Sequence, residues 1–143
     1  MYIDQISVFV ENKPGKLFDL TNFIAEKNIN MRALEVADAS DYGIIRFIVD
    51  DPTAMINALK ENDWVCNVTK VIGVKIPDKP GSLAKISNIL SDANTNVEYC
   101  YAFISKENNN AIMVFKVDDN EEVVNILKAN GAELVSQKEI ANI

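Results

Sequence analysis

Two short segments carry residue types suited to holding a small charged ligand. They are Val10-Glu11-Asn12-Lys13-Pro14-Gly15-Lys16-Leu17 and Ile76-Pro77-Asp78-Lys79-Pro80-Gly81-Ser82-Leu83. Each places a Pro-Gly pair just ahead of an apolar pattern with helical spacing. Glycine lets the backbone approach a ligand closely, because it has no side chain. The first amides of a helix lack partners, and with the helix dipole they favour a carboxylate. Asn12 or Asp78, at the head of the turn, could take an ammonium group or bridge two modules. Farther along stand Asn28-Ile29-Asn30-Met31 and Asn94-Thr95-Asn96-Val97. Asn30 and Asn96 each offer a donor and an acceptor. Met31 and Val97 would wall an apolar side chain.

Each of these residues also has a plainer reading. The Pro-Gly pairs form turns in any protein. Asn12 and Asp78 could cap the helix that follows. Asn28 and Asn94 suit helix C-termini better than ligands. Lys16 could hold an acidic or phosphorylated ligand, or lie solvated on the surface. Its counterpart is Ser82, so two sites built on these turns need not be equivalent.

An internal repeat positions both sets. Residues 6–37 match 72–103 at an offset of 66, and 43–62 match 111–130 at an offset of 68. Of the 52 aligned pairs, 18 are identical, so two copies of one fold account for the length. In the first copy Ile6, Val8 and Val10 alternate as a strand. Leu17, Leu20, Phe23 and Ile24 follow on one helix face. Strands are expected over 31–37 and 43–49, joined by a polar loop at 38–42. Asp51 suits a helix N-cap, with Pro52 at the first helical position. Met55, Ile56 and Leu59 mark the second helix face, and 65–71 reads as the last strand.

The second copy repeats the plan: strand 73–76, helix 83–93, strand 97–105, loop 106–110, strand 111–117, helix 120–130 and strand 133–139. Gly131 suits a helix C-terminus. The order βαββαβ, twice, is the ferredoxin-like plan of the α+β class. Each copy is expected to form a four-stranded antiparallel sheet with two helices on one face. The domains are expected at 1–70 and 71–143. Only Gly73 interrupts 65–76, and no Ser/Pro/Gly linker separates the copies, so tight coupling is expected. A lone copy buries little core, so its bare sheet face should be covered by the sister copy or a second chain. Tyr99, Tyr101 and Phe103 form a period-two aromatic stripe, which is core or, on the bare face, an interface.

With both turns and both downstream segments in order, nearly the whole chain resembles the ACT domain, twice. That pattern is an Asp or Asn, any residue, then Pro-Gly-x-Leu, followed about a helix later by Asn-x-Asn and an apolar residue. The resemblance implies a regulatory domain that binds a small ligand, usually an amino acid, between two ACT modules. It carries ligand binding over to Asn12, Gly15, Lys16, Leu17, Asn30 and Met31, and to Asp78, Gly81, Ser82, Leu83, Asn96 and Val97. Met31, Val97 and the neighbouring strands favour a hydrophobic amino acid. The expected assembly is a homodimer with its sites at module interfaces. Many members are joined to a biosynthetic enzyme, so a metabolic enzyme is a further expected partner. The alternative is a scaffold or regulatory subunit that binds such an enzyme without a small ligand.

Composition narrows the field in the same direction. The chain has 143 residues, 48% of them hydrophobic, and a formal charge of −7. Nucleic acids and anionic membranes prefer cationic partners, so neither is expected. There is no histidine, which removes the commonest general base and metal ligand. Cys66 and Cys100 stand apart and read as small buried hydrophobes in a reducing compartment. No GxxxxGK[ST] or GxGxxG loop is present. Neither an enzyme, a cofactor nor a metal is therefore expected. Met1–Gln5 shows no basic segment followed by an apolar core, so a cytoplasmic location is expected.

Overall fold

A computed structural model of the chain describes residues 1–39, 41–104 and 109–142. The elements run β1 (Ile3–Val10), α1 (Lys16–Glu26), β2 (Met31–Ala39), β3 (Tyr42–Val49), α2 (Pro52–Glu61), β4 (Cys66–Pro77), α3 (Ser82–Asp92), β5 (Val97–Ile104), β6 (Asn110–Val117), α4 (Asn120–Ala129), β7 (Glu133–Val135) and α5 (Gln137–Ile140). Two compact units result. One is Asp4–Thr69; the other is Lys70–Ile143 together with Met1–Ile3. Much of the loop expected at 106–110, and the end of the strand expected to reach residue 105, lie outside the described residues.

In the N-terminal unit β2 pairs β3 and β3 pairs β1, both antiparallel. The start of β4 completes the sheet on the other side of β1. Ile6, Val8, Ile45, Phe47 and Val49 meet Leu20 and Ile24 of α1 and Met55 and Leu59 of α2. Each such side chain, fully buried, contributes roughly 1.5–3 kcal/mol. In the C-terminal unit β7 and β6 flank β4, and β5 pairs β6. Ile72, Val74, Phe115 and Val117 pack with Ile86 and Leu90 of α3 and Val123 and Leu127 of α4. Each unit thus has two long helices on one sheet face, as the repeat predicts.

Local chemistry sets the helix ends. Asp51 accepts from the Ala54 amide at 2.9 Å, and Asp119 accepts from the Glu122 amide at 3.0 Å. α1 and α3 open instead on left-handed glycines, Gly15 (φ 91°) and Gly81 (φ 88°), with no side-chain cap. The capping reading of Asn12 and Asp78 therefore does not hold. Asn28 and Asn94, both at φ 53°, and Gly131, at φ 73°, end their helices in the left-handed region, as expected.

Other expectations need correction. The strands expected at 65–71 and 73–76 are one strand, β4. Gly73 does not break it, because its backbone is extended and its missing side chain makes room for Ile3. The last strand stops at Val135 rather than residue 139. Ser136 there starts α5 with a capping box: its amide donates to Glu139 Oε2 at 2.7 Å, and the Glu139 amide donates back to Ser136 Oγ at 3.4 Å. The cysteines are free, but Cys66 is half-buried and Cys100 is exposed, not buried. Cys100 sits on the helix-side face of the edge strand β5, where no further strand covers it.

On the sheet face away from the helices, Gln5, Ser7 and Ile48 are buried in one unit, and Ile112 and Val114 in the other. Tyr99, Tyr101 and Phe103 lie on that face, opposite Lys116, Val114 and Ile112, and are half-buried.

Candidate functional site

In the N-terminal unit the chain leaves β1 at Val10 and turns through 11–15 into α1. The Lys13 amide bonds the Glu11 carbonyl at 2.9 Å and the Asp19 amide bonds the Gly15 carbonyl at 2.9 Å. The Leu17 and Phe18 amides stand in the first helical turn, ahead of any helical acceptor. Nothing lies within 4 Å of the space a Gly15 side chain would fill. Asn12 Nδ2 donates to Asp38 Oδ1 at 3.1 Å, tying the turn to the β2–β3 hairpin. Its amide oxygen stays available.

Charge on this turn is mixed. Lys13 pairs with Glu11 at 2.5 Å, and Lys16 faces Asp19 at 3.8 Å. The hydrogen bond from Lys13, then the charges of Lys13 and Lys16, hold Glu11 below its usual pKa. The same partnership raises Lys13.

Two hollows flank Lys16. The smaller, about 100 Å³, is lined by Val10, Glu11, Asn12, Lys13, Lys16, Leu17, Val36, Gly43 and Ile45. The larger, about 240 Å³, is lined by Phe9, Val10, Glu11, Lys16, Asp19, Asp63, Trp64 and Val65. Three of the expected residues, Asn12, Lys16 and Leu17, thus meet in one hollow, and Gly15 shapes the turn beside it. Phe9, Val36, Gly43, Ile45 and Trp64 are additional. Trp64, the single tryptophan, is the one of these with a visible sequence signal.

Asn30 and Met31 stand elsewhere. Met31 pairs Val49, whereas Asp38, at the turn end, pairs Gly43. The two ends are seven steps apart along the strand, roughly 23 Å at ~3.3 Å each. The Asn30 side chain donates to Asp50 Oδ2 at 3.3 Å, and Arg32 Nη2 donates to the same oxygen at 3.0 Å. Arg32 Nε donates to Asp50 Oδ1.

The C-terminal unit repeats this division. Asp78, Gly81, Ser82 and Leu83 form the β4–α3 turn, where the Asp78 amide bonds the Asn109 carbonyl at 2.7 Å. Ser82 is buried and Leu83 is exposed. Val97 pairs Val117 at the other end. There Asn94, Thr95 and Asn96 line a hollow of about 120 Å³ with Ala93, Asp118, Asp119, Glu122 and Val123. Neither unit brings its Asn-x-Asn segment to its own Pro-Gly turn. Among the described residues no group of three or more His, Cys, Asp or Glu is placed to hold a metal ion. No helix among them is long and apolar enough to cross a membrane.

A family profile for the ACT domain pair matches residues 1–143. The chain belongs to that family. No curated protein matches it. A crystal structure of a protein from Bacteroides thetaiotaomicron is similar, with 36% identity and a TM-score of 0.91 over 100% of this chain and 98% of that one. The regulatory subunit of aspartate kinase from Thermus thermophilus aligns with 13% identity and a TM-score of 0.62, over 90% of each chain. The corresponding subunit from Thermus flavus gives 17% and 0.58, again over 90% of each. These last two share the fold of the ACT pair.

Proposed function

We infer that this ACT pair is a non-catalytic regulatory protein of the cytoplasm that binds an amino acid. Its binding modules are 1–70 and 71–143. One observation carries the reading. Gly15 and Gly81 open α1 and α3 in the left-handed region without a side-chain cap, which leaves amides directed outward for a carboxylate. The mixed charge around Lys16 suits a zwitterion, and Leu17 and Val36 suit an apolar side chain. Regulatory subunits of aspartate kinase among the similar structures support the regulatory role.

The ligand is held at an interface between ACT modules of two chains. A hollow of about 100 Å³ is small beside the roughly 300–1,000 Å³ of ligand pockets, so a second surface must complete it. β2 and β5 are both edge strands. An antiparallel partner strand on either edge would bring the start of one strand beside the end of the other. The Asn-x-Asn segment of one chain would then face the Pro-Gly turn of its partner.

Thermal unfolding against each of the twenty amino acids, with oligomer size recorded, tests this. A ligand that binds only the folded state, at a hundred times its Kd, adds about 2.7 kcal/mol. A rise with one or a few amino acids in a dimer is expected. No rise with any of them removes the reading.

The second reading is a subunit that binds a metabolic enzyme without a small ligand. Phe18, 69% exposed next to exposed Leu17 on α1, favours it. Capture of such an enzyme at equal strength with and without amino acids would support it.

A further inference from the structure

The two Asn-x-Asn segments differ in what already occupies them. In each module the second strand carries one extra residue at the same place. Met31 pairs Val49 and Ala33 pairs Ile48, leaving Arg32 over; Val97 pairs Val117 and Tyr99 pairs Lys116, leaving Glu98 over. Such a bulge re-aims its side chain. Arg32 turns onto Asp50 with two parallel N–H donors, and Asn30 donates to the same carboxylate. The Arg32 and Asp50 side chains are only 17% and 29% exposed. A planar guanidinium on a carboxylate is the strong form of this contact.

In the C-terminal module the bulge residue is an acid. Glu98 turns to Lys116 at 3.1 Å, and Lys116 stands where the first module has Ile48. Asp118 and Asn96, the counterparts of Asp50 and Asn30, have no side-chain partner among the described residues. Both line the hollow of about 120 Å³. The sister module therefore displays the group that this position accepts: a nitrogen cation donating to the aspartate beside the asparagine amide.

We propose that Arg32 is a built-in occupant of the Asn30 subsite, so that the chain takes a ligand's ammonium group only at Asn96 and Asp118, one ligand per chain. This rests on the amino-acid reading above and specifies which of its two subsites works. A free ammonium is a point charge without the two-pronged match of the guanidinium. It does not displace a cation tethered in place.

Calorimetric titration of the full chain with each of the twenty amino acids tests the assignment. Wild type should take one ligand per chain. Asn96→Ala and Glu98→Arg should each weaken binding by more than about tenfold, a change of ~1.4 kcal/mol. The second substitution places a guanidinium over Asp118. Arg32→Ala should add a second site per chain. Glu98 is exposed, so Glu98→Arg keeps the test valid if Arg32→Ala fails to fold. Two ligands per chain in wild type, or a single site that survives Asn96→Ala, overturns the assignment but leaves amino-acid binding standing. No titration with any amino acid overturns both.

Discussion

The Asn12 side chain donates to Asp38 across 3.1 Å, joining a strand-to-helix turn to a hairpin 26 residues away. It is an exposed contact between two short side chains, so its value lies in holding the turn in one shape. Asn12→Ala and Asp38→Ala should each cost about 0.5–1 kcal/mol in urea unfolding. The double variant should cost less than the sum, because one contact is counted twice. Strict additivity would show that the two groups do not interact in solution.

Gly15→Ala and Gly81→Ala test the turns from the backbone side. Added methyl groups meet nothing within 4 Å, but φ is 91° and 88°. The cost is then conformational alone, about 1–2 kcal/mol. Asparagine, which tolerates the left-handed region, should cost less than alanine at both positions.

Gly73→Ala is of the opposite kind. Its backbone is ordinary, but a new Cβ would overlap Ile3 Cδ1 and sit 3.4 Å from the Val135 carbonyl oxygen. A loss of roughly 1–3 kcal/mol is expected from overpacking. Ile3→Val removes the overlapping methyl and should restore part of that loss. A double variant no more stable than Gly73→Ala would place the strain at Val135.

The α5 capping box should give a pH signature. Hydrogen bonds from the Ser136 hydroxyl and then the Ser136 amide hold Glu139 below its usual pKa. A depressed carboxylate stabilises the fold above its unfolded pKa, about 4.3. That contribution fades as pH falls through the lower folded value. Ser136→Ala should cost about 1 kcal/mol at neutral pH. The difference from wild type should shrink in acid. A constant difference from neutral pH down to pH 3 would show that Glu139 takes no part.

The repeat made most of the fold readable. Thirty-two positions matched without a gap at an offset of 66, so each ambiguous segment could borrow its assignment from its twin. The errors fall where one copy departs from its twin: Gly73 stands against Ser7, and Ser136 against Val68. Gly73 was read as a breaker, although its lack of a side chain serves Ile3 across the sheet, a contact no local pattern reveals. Ser136-Gln137-Lys138-Glu139 carries a visible capping signature, yet the alternation before it looked like a strand continuing. Asn12, Lys16 and Leu17 could be placed together because they share one turn. Val36, Gly43, Ile45 and Trp64 reach the same region only through strand register and the α2–β4 connection. Arg32 on Asp50 depends on a one-residue bulge, which changes no residue type and so leaves no trace in the pattern.

Trp64 packs against Phe23 with ring centres 5.6 Å apart and borders the larger hollow beside Lys16. It is the single tryptophan, and its counterpart in the second module is Ala132. Fluorescence excited at the red edge of protein absorbance therefore watches the first module and leaves the second dark. A solute arriving beside Lys16 will change the emission colour, and one confined to the second module will not. The molecule carries its own optical label for telling its two halves apart.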